Sequence, residues 1–147
     1  MISITPRQVV RLAIGIAVLW GCSTTAVDAA GRVFQIGGLR ATATTLGDTD
    51  DAGASVYAIS STDPLGSNPR LLPQLFRWDA GTGAVEQLTA WGRGVRPDPS
   101  GPSVSDDGVW VAVASSSDPV GANPGQSEEL FLVATDGAEV RQLTAIA

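Results

Sequence analysis

Apolar positions in the last hundred residues come in short runs, each broken by Asp, Gly or Pro. Ala54-Ser55-Val56-Tyr57-Ala58-Ile59-Ser60 and Val109-Trp110-Val111-Ala112-Val113-Ala114-Ser115 are rich in β-branched and aromatic residues and too short for helices. Their nearly continuous apolar character predicts strands buried on both faces. Gln74-Leu75-Phe76-Arg77-Trp78-Asp79 and Glu129-Leu130-Phe131-Leu132-Val133-Ala134 predict a second pair of strands. Residues 84–89 and 139–144 alternate imperfectly, as outer strands do. Turns separate these runs at Asp50-Asp51-Ala52-Gly53, Asp106-Asp107-Gly108, Ala80-Gly81-Thr82-Gly83 and Thr135-Asp136-Gly137, where Gly supplies the positive φ a hairpin needs. A shorter strand is predicted ahead of each first turn, near 101–105 and near 42–46.

The two sets of runs are one unit written twice. Asp63-Pro64 recurs as Asp118-Pro119, Asn68-Pro69 as Asn123-Pro124, and Gln87-Leu88-Thr89 as Gln142-Leu143-Thr144, always at an offset of 55. Residues 51–92 and 106–147 agree at 17 of 42 positions without a gap. A fixed period of this size marks a repeat architecture. Four antiparallel strands in 55 residues make up one propeller blade. The fold class read from the sequence is therefore all-β: two four-stranded blades, about 37–92 and 93–147, following an N-terminal signal helix. Propellers close with roughly four to eight blades, so two are expected to need further blades or self-association.

Ser105-x-Asp107-Gly108, Val111-Ala112-Val113-Ala114-Ser115, Asp118-Pro119, Asn123-Pro124, Leu130-Phe131, Asp136-Gly137 and Gln142-Leu143-Thr144 together resemble the WD40-like (PD40) repeat of TolB-type β-propellers. The second unit matches more closely than the first, which has Ala52 where the second has Asp107. The resemblance implies a propeller fold and a protein-binding scaffold of the bacterial envelope, with a role like that of the Tol-Pal system. Related blades also gate prolyl-oligopeptidase-like hydrolases, so a piece of such a gating domain is the alternative. A third reading is a carbohydrate-binding envelope lipoprotein that uses Trp78 or Trp91.

The first 29 residues read as an export signal. Arg7 and Arg11 precede the apolar run 12–20, which is short for a membrane span of about 20 residues. Two cleavage modes stand open. Leu19-Trp20-Gly21-Cys22 resembles a bacterial lipobox, departing from it at Trp20, and would place a lipid on Cys22. Val27-Asp28-Ala29 instead offers small residues for ordinary signal peptidase, releasing residues 30–147. The expected location is the periplasm, or the outer membrane through a lipid anchor, and membrane contact is expected only through the leader or that lipid.

Composition narrows the chemistry. Lys+Arg total 9, all of them Arg, against 15 acids and no His, for a net charge of −6. An acidic chain is a poor ligand for nucleic acid, which needs a basic patch. Without His or Lys there is no imidazole base, no amine nucleophile and no Ser-His-Asp triad. The single Cys excludes an internal disulfide. No catalytic residue, cofactor or metal is expected, and the partner expected is a protein of the envelope. Asp48-Thr49-Asp50 starts like a calcium loop, but Ala52 and Ile59 stand where that loop needs acids. Asp63 and Asp118 are expected to cap their own turns, Glu128-Glu129 to be a solvated loop end, and Trp78, Trp91 and Trp110 to serve blade packing.

Overall fold

A computed structural model of the chain describes residues 24–27, 33–36, 44–95 and 101–146. Strands β1 (Thr24–Val27) and β2 (Val33–Ile36) pair antiparallel as a hairpin. Residues 1–23, which hold the apolar run of the expected export signal and Cys22, lie outside the described residues.

The repeat then folds twice as the same four-stranded antiparallel meander. The first sheet runs β3 (Thr44–Thr49), β4 (Ser55–Ser60), β5 (Gln74–Asp79), β6 (Val85–Gln87) in spatial order. The second runs β7 (Ser103–Val104), β8 (Trp110–Ser115), β9 (Glu129–Ala134), β10 (Val140–Gln142). Chain order equals spatial order because the connections are short turns or loops that return the chain beside the strand just left. Gly53 and Gly108 hold φ at 62° and 69° in the equivalent first turns, as the Asp/Gly pattern predicts. The outer strands are shorter than the sequence suggests. Their ladders stop because the Thr89 and Thr144 hydroxyls, not backbone carbonyls, accept the N–H of Leu75 and Leu130, each at 2.9 Å.

The sheets stack front to back. Tyr57, Ile59 and Leu75 on one face of the first sheet meet Val111, Val113, Phe131 and Val133 on the facing side of the second. Val95, from the connection between the units, inserts into the same cluster. At offset 55, however, Val111, Val113, Phe131 and Val133 correspond to Val56, Ala58, Phe76 and Trp78, which form a second buried cluster on the other face of the first sheet. The front of one unit therefore packs on the back of the next. Parity produces this: strand side chains alternate between faces, and the register Ala58↔Phe76 and Val113↔Phe131 is the same in both units.

Backbone contacts seal the junction. The Tyr57 hydroxyl donates to the Gly108 carbonyl at 3.5 Å, and the Arg77 guanidinium donates to the Thr135 carbonyl at 3.3 Å. Ser115 Oγ donates to the Gly94 carbonyl at 2.5 Å. At the innermost strands, the Val104 N–H donates to Asp48 Oδ2 at 3.2 Å. Strand β4 is buried along its whole length, as expected. Strand β8 is not: Val111, Val113 and Ser115 are buried, while Trp110, Ala112 and Ala114 are half-buried. The expectation of burial on both faces fails there because, among the described residues, no sheet lies in front of the second one.

Candidate functional site

The most strongly patterned polar residues lie in the 61–73 and 116–128 loops and at the ends of β6 and β10. Each loop is held by one carboxamide. Asn68 Nδ2 donates to the carbonyls of Thr62 (3.0 Å) and Leu72 (2.8 Å), and its Oδ1 accepts the Leu72 N–H (3.2 Å). Asn123 repeats the geometry, donating to the carbonyls of Ser117 (3.1 Å) and Ser127 (2.8 Å) and accepting from Ser127 Oγ (3.1 Å). Both Asn are nearly inaccessible, at 4 % and 3 % exposure. A buried amide must find partners, and here they are the two ends of its own loop.

Asp63 and Asp118 close the same loops from outside. Asp63 Oδ1 accepts the Asn68 N–H, and Asp118 Oδ1 accepts the Asn123 N–H, each at 2.8 Å. The expected cap is thus wider than an Asx turn, spanning five residues, because Pro64 and Pro119 carry the chain outward before it returns. Gly66 and Gly121, at φ 73° and 75°, make that return. Leu71 and Gln126 also sit at positive φ, 51° and 55°, a conformation that costs a side chain of L chirality about 1–2 kcal/mol. The loop tips between the prolines carry the exposed apolar residues Leu65 and Val120, at equivalent positions.

Gln-Leu-Thr is a second bracket. Gln87 Nε2 donates to the Thr89 carbonyl (2.6 Å), and Gln142 Nε2 to the Thr144 carbonyl (2.7 Å). The Thr hydroxyls donate in turn to the first residue of β5 or β9: Thr89 Oγ1 to Gln74 Oε1 at 2.7 Å, and Thr144 Oγ1 to Glu129 Oε2. Gln74 also binds both polar groups of the Trp91 backbone, accepting its N–H (3.1 Å) and donating to its carbonyl (2.9 Å). A carboxylate cannot donate, so in the second unit Glu129 Oε1 accepts the Ile146 N–H (2.7 Å), while the Ile146 carbonyl lies 3.1 Å from Ser127 Oγ, whose single proton is shared among that carbonyl, Glu129 Oε1 (2.7 Å) and Asn123 Oδ1 (3.1 Å).

Glu129 is therefore not the solvated loop end expected of Glu128-Glu129; it is 2 % exposed. Its equivalence to Gln74 at offset 55 was the available signal. The Thr144 hydroxyl, with those of Ser127 and the Ile146 N–H, outweighs burial and holds its carboxyl below the usual glutamate range. Asp79 and Asp107 are lowered likewise, chiefly by the Thr82 backbone N–H and by the Ser105 hydroxyl.

One acceptor is left over. Gln87 Oε1 accepts from Ser67 Oγ at 2.5 Å, but its counterpart, Gln142 Oε1, is buried without a partner. Ala122 stands where the first unit has Ser67, and so the hydroxyl is missing.

The tryptophans pack. Trp78 is buried at 5 % exposure, Trp91 meets Phe131 edge to face at 5.2 Å, and the Arg141 guanidinium lies 4.5 Å over the Trp110 ring. Among the described residues, no group of three or more Cys, Asp and Glu side chains is placed to hold a metal ion. The patterned residues thus tie the loops and strand ends of each blade to one another.

Scans of family models and of curated proteins find no match for the chain. Among solved structures, the chain is similar to TolB from Acinetobacter baumannii, with a TM-score of 0.60 and 20 % identity. The likeness covers 89 % of this chain and 29 % of that one, so the chain spans less than a third of the protein it resembles. Two front-to-back four-stranded meanders together with this likeness establish a TolB-like β-propeller fold, represented here by two blades.

Proposed function

We propose that the chain is an exported, non-enzymatic binding module of the bacterial cell envelope, a protein–protein scaffold in the manner of TolB-type propellers. The observation that carries this reading is the use made of the repeat motif. Asp63, Asn68, Gln87 and Thr89, and Asp118, Asn123, Gln142 and Thr144, all have side chains bonded to their own blade. They preorganise loops whose tips carry Leu65 and Val120, and preorganised apolar contacts are what a binding surface needs. The leader sequence, with Arg7, Arg11, the apolar run 12–20 and Cys22, supports export.

Two measurements test the reading. An alkaline phosphatase fused after Ala147 is expected to be active in cells, and to lose activity when residues 1–29 are deleted. Activity that survives the deletion rejects export. A photo-crosslinking side chain at Leu65 or Val120 is expected to capture a discrete envelope protein in living cells. Crosslinking no more discrete than that from a control position on Asp136 rejects the scaffold. Labelled palmitate incorporated by the native chain but not by Cys22→Ser would choose lipoprotein over soluble periplasmic protein.

A further inference from the structure

Repetition makes the loop of the second blade a reference for that of the first. At offset 55, Arg70-Leu71-Leu72-Pro73 corresponds to Gly125-Gln126-Ser127-Glu128. The backbone is the same in both. Leu71 and Gln126 hold φ at 51° and 55°, and their N–H groups donate to the Asn68 and Asn123 carbonyls at 2.9 and 3.1 Å. The side chains differ in use. Gln126 Oε1 accepts from the Arg93 guanidinium, so the second loop holds the connection between the blades through this position. Leu71 is instead 58 % exposed. Glycine or asparagine suits such a φ, whereas a leucine there carries strain and gains no burial in return.

Arg70, beside it, is also exposed and is paired with none of the described residues. Arg77 and Arg141 face carboxylates, Glu86 at 2.9 Å and Glu139 at 2.6 Å. Folding of the loop calls for neither Arg70 nor Leu71. The second loop closes on Asp118 and Asn123 with Gly125 and Gln126 in their places. Strain kept at an exposed position points to a contact outside the chain.

We propose that Arg70 and Leu71 set the partner specificity of the first loop: Leu71 is an anchor that enters an apolar pocket of a protein partner, and Arg70 pairs with a carboxylate at the rim of that pocket. This rests on the scaffold reading above and names the chemistry of the partner. The leucine stands on a loop whose two ends Asn68 ties together, so the partner supplies the concavity. A loop already held in shape loses little freedom on docking. One buried anchor with a charge at its edge suffices to dominate an interface. A lipid surface fits less well, because exposed Asp118 and Glu128 on the equivalent loop oppose anionic headgroups.

The test places a photo-crosslinking side chain at Leu65, on the same loop, in the full chain in living cells, and measures adduct per molecule of chain. Arg70→Glu and Leu71→Asn are each expected to lower the adduct by about tenfold or more, and Arg70→Lys to retain most of it. Asparagine adopts positive φ more readily than leucine, so the melting temperature of Leu71→Asn should equal or exceed the native one. A leucine that serves the fold would instead lower the melting temperature on replacement, and that result overturns the proposal. So does a discrete adduct that either Arg70→Glu or Leu71→Asn leaves unchanged, or one that forms from Val120 but not from Leu65. In those cases the scaffold reading stands. No discrete adduct at either position defeats both. Sedimentation of the full chain with phosphatidylglycerol vesicles that Leu71→Asn abolishes names a bilayer as occupant and equally overturns the proposal.

Discussion

Single side chains decide how well each loop and strand end is held. Gln142 Oε1 is a buried acceptor without a donor, because Ala122 replaces the hydroxyl that Ser67 gives to Gln87. Ala122→Ser should supply that donor and raise stability by about 1 kcal/mol, the net worth of a typical hydrogen bond, which urea denaturation can measure. Glu129 acts in the opposite direction. Its folded pKa is depressed by the Thr144 and Ser127 hydroxyls and the Ile146 N–H, so its contribution is fully present above the unfolded value of about 4.3 and is lost as pH falls through the folded one. In Glu129→Gln, the form Gln74 already takes, the acid limb of the melting-temperature profile below about pH 4.3 should be shallower than in the native chain. An unaltered acid limb would mean that the other depressed carboxyls, Asp79, Asp107 and Glu139, carry the whole effect.

Elements are fitted to one another by close approach. Strand β3 shifts register between Leu46 and Asp48, and at that irregularity a Cβ on Gly47 would lie 2.2 Å from the Pro102 ring. Gly47 is thus the residue that lets the innermost strand of one blade pass the start of the next. Gly47→Ala should destabilise the junction by about 1–3 kcal/mol, an overpacking cost, and Tyr57 fluorescence is a local reporter of it. Gly94 answers a different need: φ is 73° and the Pro73 carbonyl lies 2.5 Å from where a Cβ would stand. It turns the connection so that Val95 enters the core.

At the scale of the whole molecule, the larger of the two buried clusters among the described residues is the one between the blades. Leu75 and Leu130 are the same residue in the same local structure, yet one is buried and the other 47 % exposed. Leu75→Ala should cost about 2–5 kcal/mol, as a core truncation does. Leu130→Ala in the same chain should stay within about 0.5 kcal/mol, as surface changes do. Parallel thermal and urea melts compare the two directly, and equal losses would contradict the one-sided packing described here.

Much of this was legible from one sequence. Asp/Gly turns, β-branched runs and the 55-residue offset are local signals, and they determined the strands, their order and the two-blade all-β class. The repeat motif also marked Asp63, Asn68, Gln87, Thr89 and their partners, although not what they bind. Their bonds join residues two to twenty positions apart, and Gln74 and Glu129 complete the set from the first positions of β5 and β9. Tertiary structure alone decided which face of each sheet meets the other. Two faces of a blade are alike in apolar content, and the stacking of a neighbour separates buried Leu75 from exposed Leu130, its counterpart in the repeat.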